Sequence, residues 1–173
     1  MLFDKITIIG IGLIGSSLAR GIMKKGLAGK LCACDKNKEY LAEARELGIV
    51  DEISEDLGKA VENADLVVYA TPVGAYGEIT RQIVPHLKKG VILTDVGSIK
   101  KYSIREIEEN LPENADVVVV PGHPVAGTEK SGPANGFDTL FEGRWYIVTP
   151  SSRSTEEAVA KVSELWAAAR MKV

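Results

Sequence analysis

One histidine lies where an apolar run ends in a loop rich in glycine and proline. The segment VVVVPGHPVAGTEKSG (117–132) contains His123, and His86 is the only other histidine among the 173 residues. The prolines and glycine beside His123 restrict the backbone without burying the ring. Because an imidazole can take a proton from a reacting hydroxyl near neutral pH, we predict that His123 is a general base. The alternative is a structural role, which we assign to His86 near the end of a helical segment.

A glycine-rich turn provides a second chemical signal. GIGLIG (10–15) follows an apolar run and opens a helical segment, the context in which G-x-G-x-x-G binds a dinucleotide. The first glycine permits the turn, the second lets a pyrophosphate approach, and the third lets helix and strand pack. The helix N-terminus then attracts the phosphates. The residues assigned to this turn are Gly10, Gly12, Leu13, Ile14 and Gly15.

An acidic residue follows at the spacing that a ribose contact requires. Asp35 ends the run KLCACD, twenty residues after Gly15. A carboxylate there binds ribose hydroxyls and repels a 2′-phosphate, which favours NAD over NADP. Lys36 weakens this argument, and Asp35 could instead cap the next helix.

Two more strand ends carry polar residues. ATPV (70–73) places Thr71 and Pro72 after a buried run, where they could approach the ribose and nicotinamide or form a plain turn. TDVGSIK (94–100) places Ser98 after the next run. Ser98 could orient a catalytic group, cap the helix that follows, or do both.

The elements that position these residues alternate along the chain. We predict strands at 5–10, 30–35, 49–50, 64–71, 91–96, 116–121 and 144–150, and helices at 13–26, 37–47, 55–62, 74–90, 98–111 and 155–170. Apolar strands alternating with helices predict an α/β fold with a doubly wound, mostly parallel sheet. With the glycine motif, this indicates a Rossmann NAD-binding domain over 1–173. In the strand order 3-2-1-4-5-6, the glycine turn, Asp35, Thr71, Ser98 and His123 all follow strand ends that face one crevice.

The composition excludes several classes of function. The net charge of −3 and the pI near 5.5 argue against nucleic acid or an anionic membrane as a partner. No segment has enough unbroken apolar residues to span a membrane. Cys32 and Cys34 are interpreted as core thiols in a reducing cytoplasm, and no metal site is predicted.

These motifs together resemble the arogenate/prephenate dehydrogenase family of tyrosine biosynthesis. The resemblance covers nearly the whole chain in the right order, and the His-Pro block is its most selective part. The matching segments are GIGLIGSSLARG (10–21), ATPV (70–73), TDVGSIK (94–100), GHPVAGTEKSG (122–132) and FEGRWYIVTP (141–150).

The resemblance implies an NAD-dependent oxidative decarboxylation of prephenate to 4-hydroxyphenylpyruvate. His123 would take the proton of the ring hydroxyl as hydride passes to NAD. Ser98 matches a serine that helps to position the histidine and the nicotinamide. Glu129 and Lys130 match positions that line the substrate cleft, although both could simply be solvated loop residues.

The family also has a second, helical domain that forms the dimer and supplies an arginine for the substrate carboxylate. This chain ends at Val173 in what resembles a new strand, so we expect a cofactor domain cut from a longer protein rather than a short relative of the family. We expect it to bind NAD without turning over prephenate, because none of its candidate arginines follows a crevice strand. We also expect an exposed apolar patch at Leu165 and Trp166. The candidate arginines are Arg20, Arg81, Arg105, Arg144 and Arg153.

Three alternatives remain open on the sequence. Arogenate could replace prephenate as substrate. The chain could be another Rossmann dehydrogenase of the β-hydroxyacid or pyrroline-carboxylate-reductase kind, although a suitable lysine or an NADP-type Arg/Ser is not convincingly placed. It could also be a non-catalytic nucleotide-binding module, a role that would not need His123 and Ser98 at the crevice.

Overall fold

The apolar runs form a six-stranded sheet in which every pair of neighbouring strands is parallel. A computed structural model describes all residues, 1–173, and gives the order β3-β2-β1-β4-β5-β6, as predicted. The strands of this sheet are Phe3–Ile9 (β1), Ala28–Cys34 (β2), Glu52–Ser54 (β3), Leu66–Tyr69 (β4), Val91–Asp95 (β5) and Val117–Val120 (β6). The helices are Leu13–Lys25 (α1), Lys38–Glu46 (α2), Leu57–Val61 (α3), Tyr76–Ile83 (α4), Lys100–Glu108 (α5) and Glu156–Ala168 (α6).

Both faces of the sheet are buried because alternate side chains point to opposite sides. In β4, Val68 packs into one apolar cluster and Val67 into the other. Leu18 of α1 and Trp166 of α6 belong to the first cluster, while Ile79 of α4 belongs to the second. The fold is therefore doubly wound. None of the helices is both long and apolar enough to cross a membrane.

Local chemistry moves several boundaries from their predicted positions. The third strand lies at Glu52–Ser54 rather than at 49–50. The α4 helix ends at Ile83 and is followed by a 3₁₀ turn that contains Pro85, whose missing amide cannot continue the helix. The Asn37 side chain caps α2 by accepting the amides of Glu39 and Tyr40. Asp35 is therefore not the cap of this helix.

A small antiparallel ribbon lies outside the parallel sheet. It pairs Gly122–Pro124 (β7) with Tyr146–Val148 (β8), and His123 lies opposite Ile147. The strand predicted at 144–150 therefore exists, but it belongs to this ribbon. Next to it, Lys172 forms a parallel bridge to Trp145, as expected if the last residues begin to pair as a strand.

The prediction of an exposed patch at Leu165 and Trp166 is wrong, since both side chains are fully buried. Tyr146 stacks on the Trp166 ring with centroids 4.5 Å apart, and Phe141 meets that ring edge-on at 5.1 Å. Several exposed apolar side chains lie instead on and beside the ribbon, namely Ile99, Val125, Trp145 and Ile147, and others are scattered over the surface.

The two cysteines behave as core residues. Cys32 and Cys34 are free and buried in β2. Burial raises the pKa of the Cys32 thiol to about 11 and that of Cys34 to about 12. Both thiols therefore stay protonated at neutral pH and lack the thiolate character of a reactive site.

Candidate active site

The glycine turn at the end of β1 combines two tight positions with an open one. A Cβ on Gly10, which has φ +97°, would lie 2.6 Å from the Ala70 carbonyl oxygen. A Cβ on Gly15 would collide with the Gly10 carbonyl. Gly12, in contrast, has no atom within 4 Å of a Cβ position. The fold itself therefore needs Gly10 and Gly15, whereas Gly12 leaves free space at the start of α1.

The N-terminus of α1 presents amides to that space. The amide of Ser16 makes the first helical hydrogen bond, to Gly12, so the amides of Leu13, Ile14 and Gly15 precede the helical ladder. No acidic residue lies in the first turn of the helix. Donors, a positive helix end and an open approach are the features that bind a phosphate group. These residues fit a dinucleotide.

Asp35 braces the turn from the end of β2. One oxygen of its carboxylate accepts the Ile11 amide at 2.8 Å, and the other accepts the Asn37 amide at 2.9 Å. The side chain is half-buried, and a carboxylate can accept more hydrogen bonds than these two. Asp35 can therefore hold the glycine turn and bind ribose hydroxyls at the same time.

Thr71 adds an unsatisfied group at the end of β4. Its hydroxyl is buried and has no partner in the chain. Buried hydroxyls without a partner are rare in native proteins, and a hydroxyl of this kind is suited to hydrogen-bonding a bound ligand. Pro72 follows it and is exposed. Since Gly10 packs against Ala70, these two residues lie close to the glycine turn.

His123 is half-buried on β7, just beyond the carboxyl end of β6. Its Nδ1 lies 3.0 Å from the Val96 carbonyl oxygen. A carbonyl only accepts, so we assign the proton of the neutral ring to Nδ1, which leaves the Nε2 lone pair available. Ser98 is exposed, and α5 begins after Ile99 without a side-chain cap. The backbone of the Ser98 loop, rather than the Ser98 side chain, is therefore the partner of the His123 ring.

Sequence reasoning missed a buried ion pair beneath this loop. Lys100 Nζ lies 2.6 Å from both oxygens of the Asp95 carboxylate and 2.6 Å from the Gly122 carbonyl oxygen. Burial lowers the pKa of Lys100, while Asp95 acts in the opposite direction. The sequence shows only the spacing, in which Asp95 ends β5 and Lys100 follows five residues later, and this spacing does not reveal that both side chains are largely buried.

Glu129 and Lys130 lie in an exposed loop beyond β7. They line a depression together with Asn135 and Phe137, and neither His123 nor Ser98 borders it. The loop runs towards α2, where Gly132 approaches the Tyr40 ring. The structure thus brings the glycine turn, Asp35 and Thr71 to one edge of the sheet together with His123 and the Ser98 loop, but it leaves Glu129 and Lys130 apart.

Comparison with known proteins identifies the family. A model of the family described as "Prephenate dehydrogenase, nucleotide-binding domain" matches residues 18–173. The chain belongs to this family. The expected resemblance is therefore confirmed, and so is the Rossmann fold.

The curated relatives that this chain matches are considerably longer than the matched region. Cyclohexadienyl dehydrogenase of Zymomonas mobilis is 39% identical over 164 residues, covering 95% of this chain and 55% of that protein. Prephenate dehydrogenase of Lactococcus lactis is 38% identical, covering 88% of this chain and 43% of that protein. The chain thus spans about half the length of these relatives.

Solved structures agree with this assignment. Prephenate dehydrogenase from A. aeolicus, in complex with hydroxyphenyl propionate and NAD+, matches with a TM-score of 0.88 and 31% identity. The match covers 98% of this chain and 58% of that one. The prediction of NAD as cofactor agrees with both the family description and the ligand of this relative.

Proposed function

We propose that this chain is the NAD-binding domain of a dehydrogenase that converts prephenate to 4-hydroxyphenylpyruvate with loss of carbon dioxide. The observation that carries the proposal is the His123 ring at the carboxyl edge of the sheet, with Nδ1 bound to the Val96 carbonyl. Membership of the prephenate dehydrogenase family supports the reaction class. Arogenate, which shares the ring hydroxyl and its carboxylate, is the alternative substrate.

The glycine turn and its neighbours would hold the cofactor. The α1 amides at Leu13 and Ile14 would bind the pyrophosphate, and Asp35 would bind the adenosine ribose. Thr71 and Pro72 line the path towards the nicotinamide, with Ser98 beyond them. NAD, when bound, supplies the hydride acceptor.

His123 would act on the ring hydroxyl of the substrate. Its Nε2 lone pair accepts a hydrogen bond from that hydroxyl and takes the proton as the carbinol carbon is oxidised. Correct placement of such a base typically contributes about 10²–10⁴-fold to the rate. Glu129 and Lys130 are kept as proposed cleft residues that would require the loop beyond β7 to approach the substrate.

The substrate also needs cationic partners for its two carboxylates, and two of the candidate arginines of this domain are engaged elsewhere. Arg81 binds Glu78 and Asn110, and Arg153 donates to carbonyl groups of the segment before β6. We propose that a second, helical domain supplies the arginine and forms a homodimer, as the resemblance implies. Bidentate arginine pairs are well suited to carboxylates.

The test combines a binding titration with a turnover assay. The domain alone should bind NAD in calorimetry and should produce no NADH from prephenate and NAD. An enzyme that joins this domain to the family's second domain should produce NADH with 4-hydroxyphenylpyruvate as product. A domain that binds no NAD, or a two-domain enzyme that oxidises neither prephenate nor arogenate, would refute the proposal. Robust turnover by the domain alone would show that the whole substrate site lies within it.

A further inference from the structure

The Asp95–Lys100 ion pair contacts both backbone segments that define the position of His123. We propose that this pair is a positioning element that fixes the direction and the neutral tautomer of the His123 imidazole. Its catalytic consequence depends on the proposed role of His123 as a base. Its structural consequence can be measured without substrate.

The first segment is the loop that provides the partner of Nδ1. One oxygen of Asp95 accepts the Gly97 amide at 3.0 Å. The Val96 amide donates to the Tyr69 carbonyl at 3.1 Å. Bonds on both sides of the Val96 carbonyl therefore hold it where the ring of His123 meets it.

The second segment is the start of β7. The Gly122 amide donates to the other Asp95 oxygen at 3.1 Å, and the Gly122 carbonyl accepts from Lys100 at 2.6 Å. Gly122 directly precedes His123, and a Cβ there would collide with the Tyr146 hydroxyl. Both backbone groups of this residue are thus bound to the ion pair. Because β7 is not hydrogen-bonded into the main sheet, the pair provides a polar connection between the sheet and the ribbon.

Stability alone is a weak reason for this arrangement. The Asp95 side chain is 0% exposed and that of Lys100 is 15% exposed, so both charges are removed from water. The free energy needed to remove the two charges from water is often as large as the electrostatic attraction between them. The neighbouring hydroxyls add no charge, since burial raises the pKa of Tyr69, Tyr76 and Tyr146, with the Asp95 charge acting in the same direction. The feature that the ion pair determines is the geometry around His123.

The first measurement uses the unmodified chain. Its only two histidines, His86 and His123, give two sets of imidazole signals in ¹⁵N NMR, so assignment is simple. In its neutral form, His123 should show a single tautomer with the proton on Nδ1. His86, which is exposed, serves as the internal reference. A His123 ring with the proton on Nε2, or with mixed tautomers, overturns the proposal.

The second measurement removes the pair. Asp95→Asn combined with Lys100→Met deletes both charges and leaves no uncompensated carboxylate. His123 should then populate both tautomers. The matched control removes the Asp65–Lys88 pair at the opposite edge of the sheet by Asp65→Asn with Lys88→Met. This control should leave the tautomer of His123 unchanged. A folded Asp95/Lys100 variant with the parental tautomer overturns the proposal. If this variant does not fold, Asp95→Asn combined with Lys100→Gln, which removes both charges and keeps polar groups at both positions, replaces it under the same criterion.

Turnover in the two-domain enzyme links the geometry to catalysis. Loss of a group that orients a metal-bound histidine typically costs about 10–100-fold in activity, and we expect a similar scale for the orientation of His123. The Asp95/Lys100 variant should lose kcat on this scale with unchanged NAD affinity. The single variant Lys100→Arg, which keeps Asp95 and a positive charge beside it, should have a kcat between those of the parent and the double variant. Parental kcat in a variant with mixed tautomers would refute the catalytic consequence. If His123→Asn retains full turnover, the proposed function fails, while the tautomer result remains valid on its own.

Discussion

Each edge of the parallel sheet holds an Asp–Lys pair, and the two pairs have different surroundings. At the amino edge, the side chains of Asp65 and Lys88 are 23% and 38% exposed. At the carboxyl edge, those of Asp95 and Lys100 are 0% and 15% exposed. Asp65 also accepts the Lys5 amide at 2.8 Å and so holds the neighbouring strand β1. The same two residue types thus join two strands at one edge and bind the backbone next to His123 at the other.

The edges differ most in the polar groups that they leave available. At the amino edge, the Lys5 ammonium donates to the Glu62 carbonyl, and Asp51 accepts the Leu31 amide. At the carboxyl edge, the Thr71 hydroxyl has no partner, and the space beside Gly12 is open. Charged residues alone therefore do not distinguish the two edges, whereas the unpartnered Thr71 hydroxyl and the open space at Gly12 do.

The largest expected contrast is between the two histidines. In the two-domain enzyme, His123→Asn should lower turnover by about 10²–10⁴-fold and leave NAD binding intact, since only the proposed base is lost. His86→Asn should retain parental turnover, because His86 lies before β5 at the amino edge and rests on Gly58. NADH production with prephenate measures both. Near-parental turnover by His123→Asn would show that this histidine is structural.

The next contrast is between two aspartates that each accept a backbone amide. Asp35→Ala should weaken NAD binding by about tenfold or more and narrow the preference over NADP, because a charged hydrogen bond is worth ~1.5–3 kcal/mol. Asp51→Ala should reduce stability without changing the affinity for either cofactor. Calorimetric titrations of both variants provide the comparison. Equal or tighter NADP binding by the parent would refute the assignment of Asp35.

A smaller contrast is expected between Gly12, the N-cap of α1, and Gly21 within the helix, since neither has an atom near its Cβ position. Gly12→Val should fold, because no atom lies near the Cβ position, and should weaken NAD binding by blocking the helix amides. Loss of one amide–phosphate bond corresponds to about tenfold. Gly21→Ala, in the helix interior, should bind NAD normally and gain about 0.5–1 kcal/mol of stability. Parental affinity in folded Gly12→Val would place the pyrophosphate elsewhere.

The smallest effect is expected at the amino-edge pair. Burial opposes ionisation of Asp65, but Lys88 and the Lys5 amide prevail and lower its pKa. A carboxyl whose pKa is lower in the folded protein than in the unfolded chain stabilises the fold at pH values above its unfolded-state pKa. This stabilisation disappears as the pH falls below about 4. Asp65→Asn should therefore cost up to about 1 kcal/mol at neutral pH and less in acid. Urea unfolding of the parent and the variant at neutral and at acidic pH measures this loss of unfolding free energy. A larger loss at acidic pH would contradict the prediction.

The parallel order and the cofactor turn could be predicted because each depends on local patterns. Apolar runs and the glycine spacing are visible within a few residues of one another. The ribbon and its connection to the ion pair depend on contacts between residues far apart in sequence: Asp95 meets Gly122, and Tyr146 fills the space beside Gly122. A strand-end aspartate gives no local sign of whether it faces a ligand or a buried lysine. The same limit explains the error at Trp166, which Tyr146 covers.

The two tryptophans give the domain separate optical reporters. Trp166 is enclosed by Tyr146 and Phe141, whereas Trp145 is 56% exposed with the Lys172 ammonium 5.7 Å from its ring. Trp145 precedes Ile147 by two residues and so shares the ribbon face of His123. Emission from Trp166 should report on global unfolding. Quenching of Trp145 by a dissolved anion should report whether a ligand or another protein surface covers the face that carries the histidine.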